Sequence, residues 1–206
     1  MKRRELLKTG AAGLAMASGM GSMAWAQETT IEIPDMVLGD ENAPVEMIEY
    51  ASYTCPHCAR FHADVYPQLK ADYIETGKVK FVYREVYFDR FGLWASMIAR
   101  CAGESRFFAF TDLLYAEQRS WAGSKDPAQV IDNLRTLAKT AGMNDETLDA
   151  CMSDAAKAES LVGWYQTNAE RDGVNSTPSF LIGGEKFANM AYPQMKEVIE
   201  AKLADA

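Results

Sequence analysis

Cys55-Pro56-His57-Cys58 is the segment of this chain whose residue types and spacing can do chemistry. Two cysteines with two residues between them can close a strained disulfide and open it again by exchange. An apolar stretch, Val45-Glu46-Met47-Ile48-Glu49-Tyr50, precedes them and reads as a buried strand, and the residues that follow have helical spacing. The pair therefore stands where a strand runs into a helix. A helix N-terminus presents unpaired N–H groups and positive dipole charge, which stabilise a thiolate, the reactive form of cysteine. Pro56 suits the first helical position, with a compatible φ and no N–H to leave orphaned. His57 can direct a hydrogen bond or a positive charge at the Cys55 sulfur. Together these features predict a low pKa for Cys55, with Cys58 as its exchange partner. A stabilised thiolate favours the reduced form, so the oxidised form becomes an oxidant of other thiols.

Other residues could complete such a site. Thr177-Pro178 directly precedes a second strand-like segment. A cis bond there would expose the Thr177 backbone as an edge for an extended peptide, although sequence alone favours trans. Glu49 lies in an apolar strand six positions before Cys55. Glu46 and Glu49 are three apart, so they point to opposite faces and one should be inward. An inward Glu49 could take up protons during thiol exchange, its pKa raised by burial; an outward one would be ordinary alternation. Lys80 on the next strand is a candidate partner for Glu49. His62 reads as a surface or packing histidine. Cys55, His57, Cys58 and His62 could hold copper or zinc adventitiously, but no second Cys pair or spaced His pair completes a zinc site. Neither a metal nor a bound cofactor is expected.

The elements that position these residues follow from periodicity and breakers. Phe61, Val65, Leu69 and Tyr73 mark one helical face, with a kink expected at Pro67 and an end at Gly77. Lys78–Tyr87 reads as a second strand, parallel to the first. Residues 91–171 look almost wholly helical, with helices over 93–102, 105–119 and 127–141, another capped by Asn144, and a long last one ending near Gly173. Their aromatic residues, Trp94, Phe107, Phe108, Phe110, Trp121 and Trp164, should fill a helical core. Strand character returns at Ser179–Ile182. Gly183-Gly184 then signals a hairpin, and Pro193 opens a final helix. The fold class is α/β: a βαβ half and a ββα half interrupted by an inserted helical domain.

Residues 1–26 read as a cleaved export signal: Lys2, Arg3, Arg4 and Lys8, a mildly apolar run from Gly10 to Met23, then Ala24-Trp25-Ala26. Arg3-Arg4 favours the twin-arginine route over an ordinary secretion signal, and either route leads to a bacterial periplasm. The domain boundaries expected are 1–26, 27–90, 91–172 and 173–206. A net charge of −8 argues against a nucleic-acid partner. Two of the four cysteines remain, Cys101 and Cys151, both in helical segments. In an oxidising compartment they should form a structural disulfide; the alternative is two buried thiols.

These motifs, spread over the whole chain after the leader, resemble the DsbA-like family of periplasmic thiol-disulfide oxidoreductases in the thioredoxin superfamily. The resemblance implies a thioredoxin-like fold, a cis Pro178, an exposed nucleophile at Cys55 and a buried acid at Glu49. It further implies exported proteins with free thiols as substrates, and re-oxidation by a quinone-linked membrane partner similar to DsbB. The pair Cys101 and Cys151 resembles the second disulfide of the alphaproteobacterial branch. Thr177 departs from the best-known oxidase of the family, which has valine there; threonine is common in isomerases and reductases of the superfamily. The leading expectation is a monomeric oxidase that introduces disulfides. The alternatives are an isomerase or reductase, or a metal-handling or chaperone-like binding protein.

Overall fold

Residues 31–206 are described by the computed structural model, so the proposed export signal lies outside the described residues. Val45–Ala51 (β2) and Val79–Glu85 (β3) form the centre of a five-stranded sheet ordered β1-β3-β2-β4-β5. They pair in parallel, Val45 opposite Val79 through Ala51 opposite Glu85. Both are buried along almost their whole length, which is why they read as continuous apolar runs. Ser179–Ile182 (β4) runs antiparallel on the other side of β2, with Phe180 opposite Glu49. Glu185–Ala188 (β5) returns through Gly183 and Gly184, whose φ values of 56° and 79° favour glycine. Met36–Leu38 (β1) adds an antiparallel edge to β3 that the sequence does not announce. Three residues carry too little pattern to be read as a strand, and β3 supplies the order.

The helix after the dithiol is broken earlier than expected. Pro56–Asp64 (α1) gives way at Val65 (φ −114°, ψ −49°) to Tyr66–Leu69 (α2) and a π-helical turn over Lys70–Ile74. Pro67 has no N–H for the Ala63 carbonyl and its ring crowds that group, so the break falls two residues before the proline. The predicted face survives: Phe61, Val65, Leu69 and Tyr73 are all buried.

Six helices fill the stretch between β3 and β4: Arg90–Cys101 (α3), Glu104–Ala116 (α4), Gln118–Ala122 (α5), Pro127–Thr140 (α6), Asp145–Met152 (α7) and Ala155–Arg171 (α8). Asp89, Asp126, Asn144 and Asp154 cap α3, α6, α7 and α8 by accepting from backbone N–H groups, each worth about 1 kcal/mol. The helix expected over 105–119 is two helices, divided at Glu117 (φ −100°, ψ 14°). The turn lets the buried Trp121 indole donate to the Leu114 carbonyl. Phe107, Phe108, Phe110 and Trp121 are buried as expected, whereas Trp94 and Trp164 are half-buried. Cys101 and Cys151 form a disulfide that ties α3 to α7, with Cα atoms 6.3 Å apart. Tyr192–Ala204 (α9) seats Met195 and Ile199 in the core. Among the described residues no helix is long and apolar enough to cross a membrane.

Candidate active site

β2 ends at Ala51, and a turn closed by the Cys55 N–H on the Ser52 carbonyl (3.0 Å) delivers Cys55 to the N-cap of α1. Pro56 opens the helix, and Cys58 lies one turn in. Pro56 and His57 are exposed and Cys58 is fully buried; Cys55, expected as an exposed nucleophile, is itself buried at 8% exposure, with the Thr177 carbonyl against its sulfur. Both cysteines are free thiols in this structure. The Thr177–Pro178 bond is cis, against the sequence-only preference for trans and in line with the family resemblance. The Thr177 carbonyl accepts from the Cys55 thiol at 3.5 Å. Thr177 therefore comes to the dithiol from a segment more than a hundred residues away.

The two sulfurs have opposite characters. Cys55 is held down to about 5, chiefly because the Cys58 thiol donates to its thiolate, with Thr177 and the backbone N–H groups of Cys58 and His57 helping against burial. His57 thus acts through its backbone, its ring standing in solvent. Cys58 is pushed far above the ordinary thiol range, first by burial, then by the Cys55 sulfur and the Glu49 carboxylate. One sulfur is a ready thiolate and leaving group at neutral pH. The other is a protonated thiol that must gain or lose a proton whenever its bond to Cys55 breaks or forms.

Glu49 is the inward member of its pair, fully buried beneath the dithiol, and Glu46 is outward. Lys80 is not its partner. It bonds Glu46 at 2.6 Å, because the register sets Lys80 beside Glu46 on the other face of the sheet, whereas Glu49 is opposite Tyr83. The partner of Glu49 is His62, which had read as a surface or packing residue. Its Nε2 stands 3.0 Å from Glu49 Oε2, and its ring stacks on Tyr115 with centroids 4.2 Å apart. His62 turned toward Glu49 and His57 turned to solvent do not combine with the cysteines as ligands. Among the described residues no group of three or more His, Cys, Asp or Glu could hold a metal ion.

Two contacts from the helical stretch brace the Cys55 loop. The buried Gln118 amide donates to the carbonyls of Tyr53 (2.8 Å) and Cys55 (3.0 Å). Asp89 caps α3 at Gly92 N with one oxygen and accepts from the Thr54 hydroxyl at 2.8 Å with the other. Its neighbour Phe88, 58% exposed, is the one large exposed hydrophobic among the described residues. Sequence reasoning missed Gln118, for which no motif exists. The inward position of His62 follows from its place one turn beyond Cys58 on α1, but its bond to Glu49 does not.

A family model described as Thioredoxin matches residues 32–201. The chain belongs to the thioredoxin family. Its relatives and structural neighbours include proteins named protein-disulfide oxidoreductases and DsbA-like proteins. A protein of Rickettsia bellii named as a protein-disulfide oxidoreductase is 30% identical over 85% of this chain and 67% of its own length. The chain spans 61–67% of the length of the rickettsial relatives it matches. Wolbachia pipientis alpha-DsbA1 superposes with a TM-score of 0.78 at 27% identity, covering 86% of this chain and 96% of that one. A protein-disulfide isomerase of Novosphingobium aromaticivorans superposes with a TM-score of 0.75 at 27% identity, covering 82% and 97%.

Proposed function

We propose that this protein introduces disulfide bonds into exported proteins in the periplasm, by dithiol–disulfide exchange through Cys55 and Cys58. The observation that carries the reading is the split between the sulfurs, Cys55 near 5 and Cys58 far above neutrality. In the oxidised protein a substrate thiolate attacks Cys55 Sγ, forming a mixed disulfide while the Cys55–Cys58 bond breaks. Cys58 leaves and takes up one proton. A second substrate thiolate attacks the substrate sulfur of the mixed disulfide and expels Cys55 as a stable thiolate. Two electrons pass from the substrate to the protein, and the substrate is left cross-linked. The Thr177 carbonyl, beside Cys55, is where an extended substrate backbone pairs. A quinone-linked membrane partner of the DsbB kind re-oxidises the dithiol. Residues 1–26 serve as the export signal, residues 91–172 act as an inserted domain, and the protein works as a monomer.

The deciding experiment is the redox equilibrium of the Cys55–Cys58 pair against glutathione, combined with mixed-disulfide trapping by Cys58→Ala. An oxidising potential and accumulation of mixed disulfides with exported proteins are expected. A potential as reducing as that of cytosolic thioredoxins would remove the oxidase reading. Thr177 and the likeness to the Novosphingobium protein-disulfide isomerase favour an isomerase or reductase as the second reading. Faster repair of scrambled substrates than oxidation of reduced ones would establish it.

A further inference from the structure

The Glu49–His62 pair continues outward, away from the face that carries Cys55. His62 Nε2 faces Glu49, and its other nitrogen, Nδ1, has no hydrogen-bond partner among the described residues. Nδ1 points toward Asp112 Oδ1, 4.0 Å away on α4. The His62 side chain is 3% exposed and that of Asp112 45% exposed, so the line from Glu49 to Asp112 runs from core to solvent. It emerges in a cleft of about 410 Å³ between α1, α2 and α4, lined by Ala59, His62, Ala63, Tyr66, Asp112 and Tyr115. The Tyr66 hydroxyl, also buried without a partner, borders the same cleft.

From this geometry we propose that His62 is a proton-relay residue, carrying protons between the buried Glu49–Cys58 pair and solvent at Asp112. The proposal rests on the exchange chemistry above and adds a route that the dithiol face does not supply. Cys58 and Glu49 are fully buried. While a substrate is joined to Cys55 and paired along Thr177, that face is covered. Yet this is when Cys58 must be protonated as it leaves. An outlet on the far side of α1 keeps the proton moving while the front is closed.

The step balances as one proton per half-cycle. When the Cys55–Cys58 bond breaks, Glu49, whose Oε1 has no hydrogen-bond partner among the described residues, gives a proton to Cys58 Sγ across an intervening water, His62 Nε2–H gives one to Glu49 Oε2, and Nδ1 takes one from water beside Asp112. When Cys58 later loses its proton to re-form the disulfide, the sequence runs backward and restores the imidazole tautomer. Two observations suit the outlet. Burial raises the Asp112 carboxyl, which brings it closer to proton exchange near neutrality. The tyrosines against His62 are pushed away from the working range. Tyr66, Tyr83 and Tyr115 are all raised by burial, and Lys70 stands at the rim of the cleft.

The test uses the full protein in single-turnover reduction by dithiothreitol and re-oxidation, followed across pH in water and in deuterium oxide. His62→Gln keeps a donor for Glu49 but cannot relay a proton. It is expected to slow both steps about tenfold and to abolish most of the solvent isotope effect. That is less than the ~10²-fold or more contributed by a positioned acid–base group, because Glu49 remains. His62→Ala opens the cleft beside Glu49, and added imidazole is expected to restore at least about a third of the lost rate with saturation. Asp112→Asn, at a half-buried rim position where a near-isosteric change does not threaten folding, is expected to slow the steps two- to threefold and to move the pH profile. Wild-type rates and an unchanged pH profile in both His62→Gln and Asp112→Asn would overturn the relay. So would a loss in folded His62→Ala that imidazole leaves untouched. Should the wild-type protein itself fail to exchange, the function proposed above fails instead, and the two failures are separable.

Discussion

Lowering the pH through the Cys55 pKa should bend the redox potential of the dithiol. In the reduced protein Cys55 titrates at about 5 rather than 9.0, and Cys58 stays protonated. Between these two values reduction takes up two electrons and one proton; below the lower one it takes up two protons. The midpoint should therefore fall by about 30 mV per pH unit above the bend and by about 59 mV per unit below it. The sign follows from linkage. A depressed folded pKa stabilises the reduced fold in full above the unfolded value of 9.0, and that stability is lost as pH falls through about 5. At pH 7, two units above the folded value, about 3 kcal/mol of it is present. This makes the disulfide about 60 mV more oxidising than it would be with an unshifted Cys55. The assay is equilibration in thiol redox buffers from pH 4 to 8, with acid quenching and alkylation to count free thiols. A single slope of about 59 mV per pH unit through neutrality, with no bend, would refute the thiolate assignment. Cys58→Ala supplies the internal control, because it removes the leading donor to the thiolate. The Cys55 pKa should then climb toward 9.0, and if it stays put the backbone N–H groups and Thr177 carry the effect.

The remaining predictions concern stability and assembly of the site. Replacing Cys101 and Cys151 opens a loop of 50 residues and should lower unfolding stability by up to about 4 kcal/mol in urea titrations. Arg100→Ala leaves the buried Glu85 without its two 2.7 Å contacts and should destabilise by about 3–5 kcal/mol, again read by denaturant unfolding. Gln118→Leu strips donors from the Tyr53 and Cys55 carbonyls. It should destabilise by about 1–3 kcal/mol, with hydrogen exchange quickening around the Cys55 loop ahead of the rest of the sheet.

What the sequence could disclose divides along a physical line. Strands with two buried faces, helices opened by Asp126-Pro127 or Asn144, and the Gly183-Gly184 hairpin were legible because each is written in adjacent residues. The dithiol was legible for the same reason. Partnerships set by register or by packing between distant segments were not. Strand alternation put one of Glu46 and Glu49 inward, but the partner of Lys80 depended on which residue stands opposite it across the ladder. His62 is the packing histidine of its two readings, but a histidine on a helix gives no sign of the carboxylate waiting 13 residues upstream. Gln118 was invisible because its role is to satisfy two backbone carbonyls more than sixty residues away. The single helix expected over 105–119 ignored the indole of Trp121, whose hydrogen bond favours a turn at Glu117.

Asp89 and Gln118 make the helical stretch a mechanical part of the sulfur chemistry. One ties the start of α3 to Thr54, and the other hangs the Cys55 loop from α5. A minimal domain carved from this chain by splicing 85 to 175 would keep all five strands and both redox cysteines. It would also uncover the Glu49–His62 pair and set the Cys55 loop adrift. For protein engineering, the cargo that can be trimmed from this scaffold ends where the helices touch that loop.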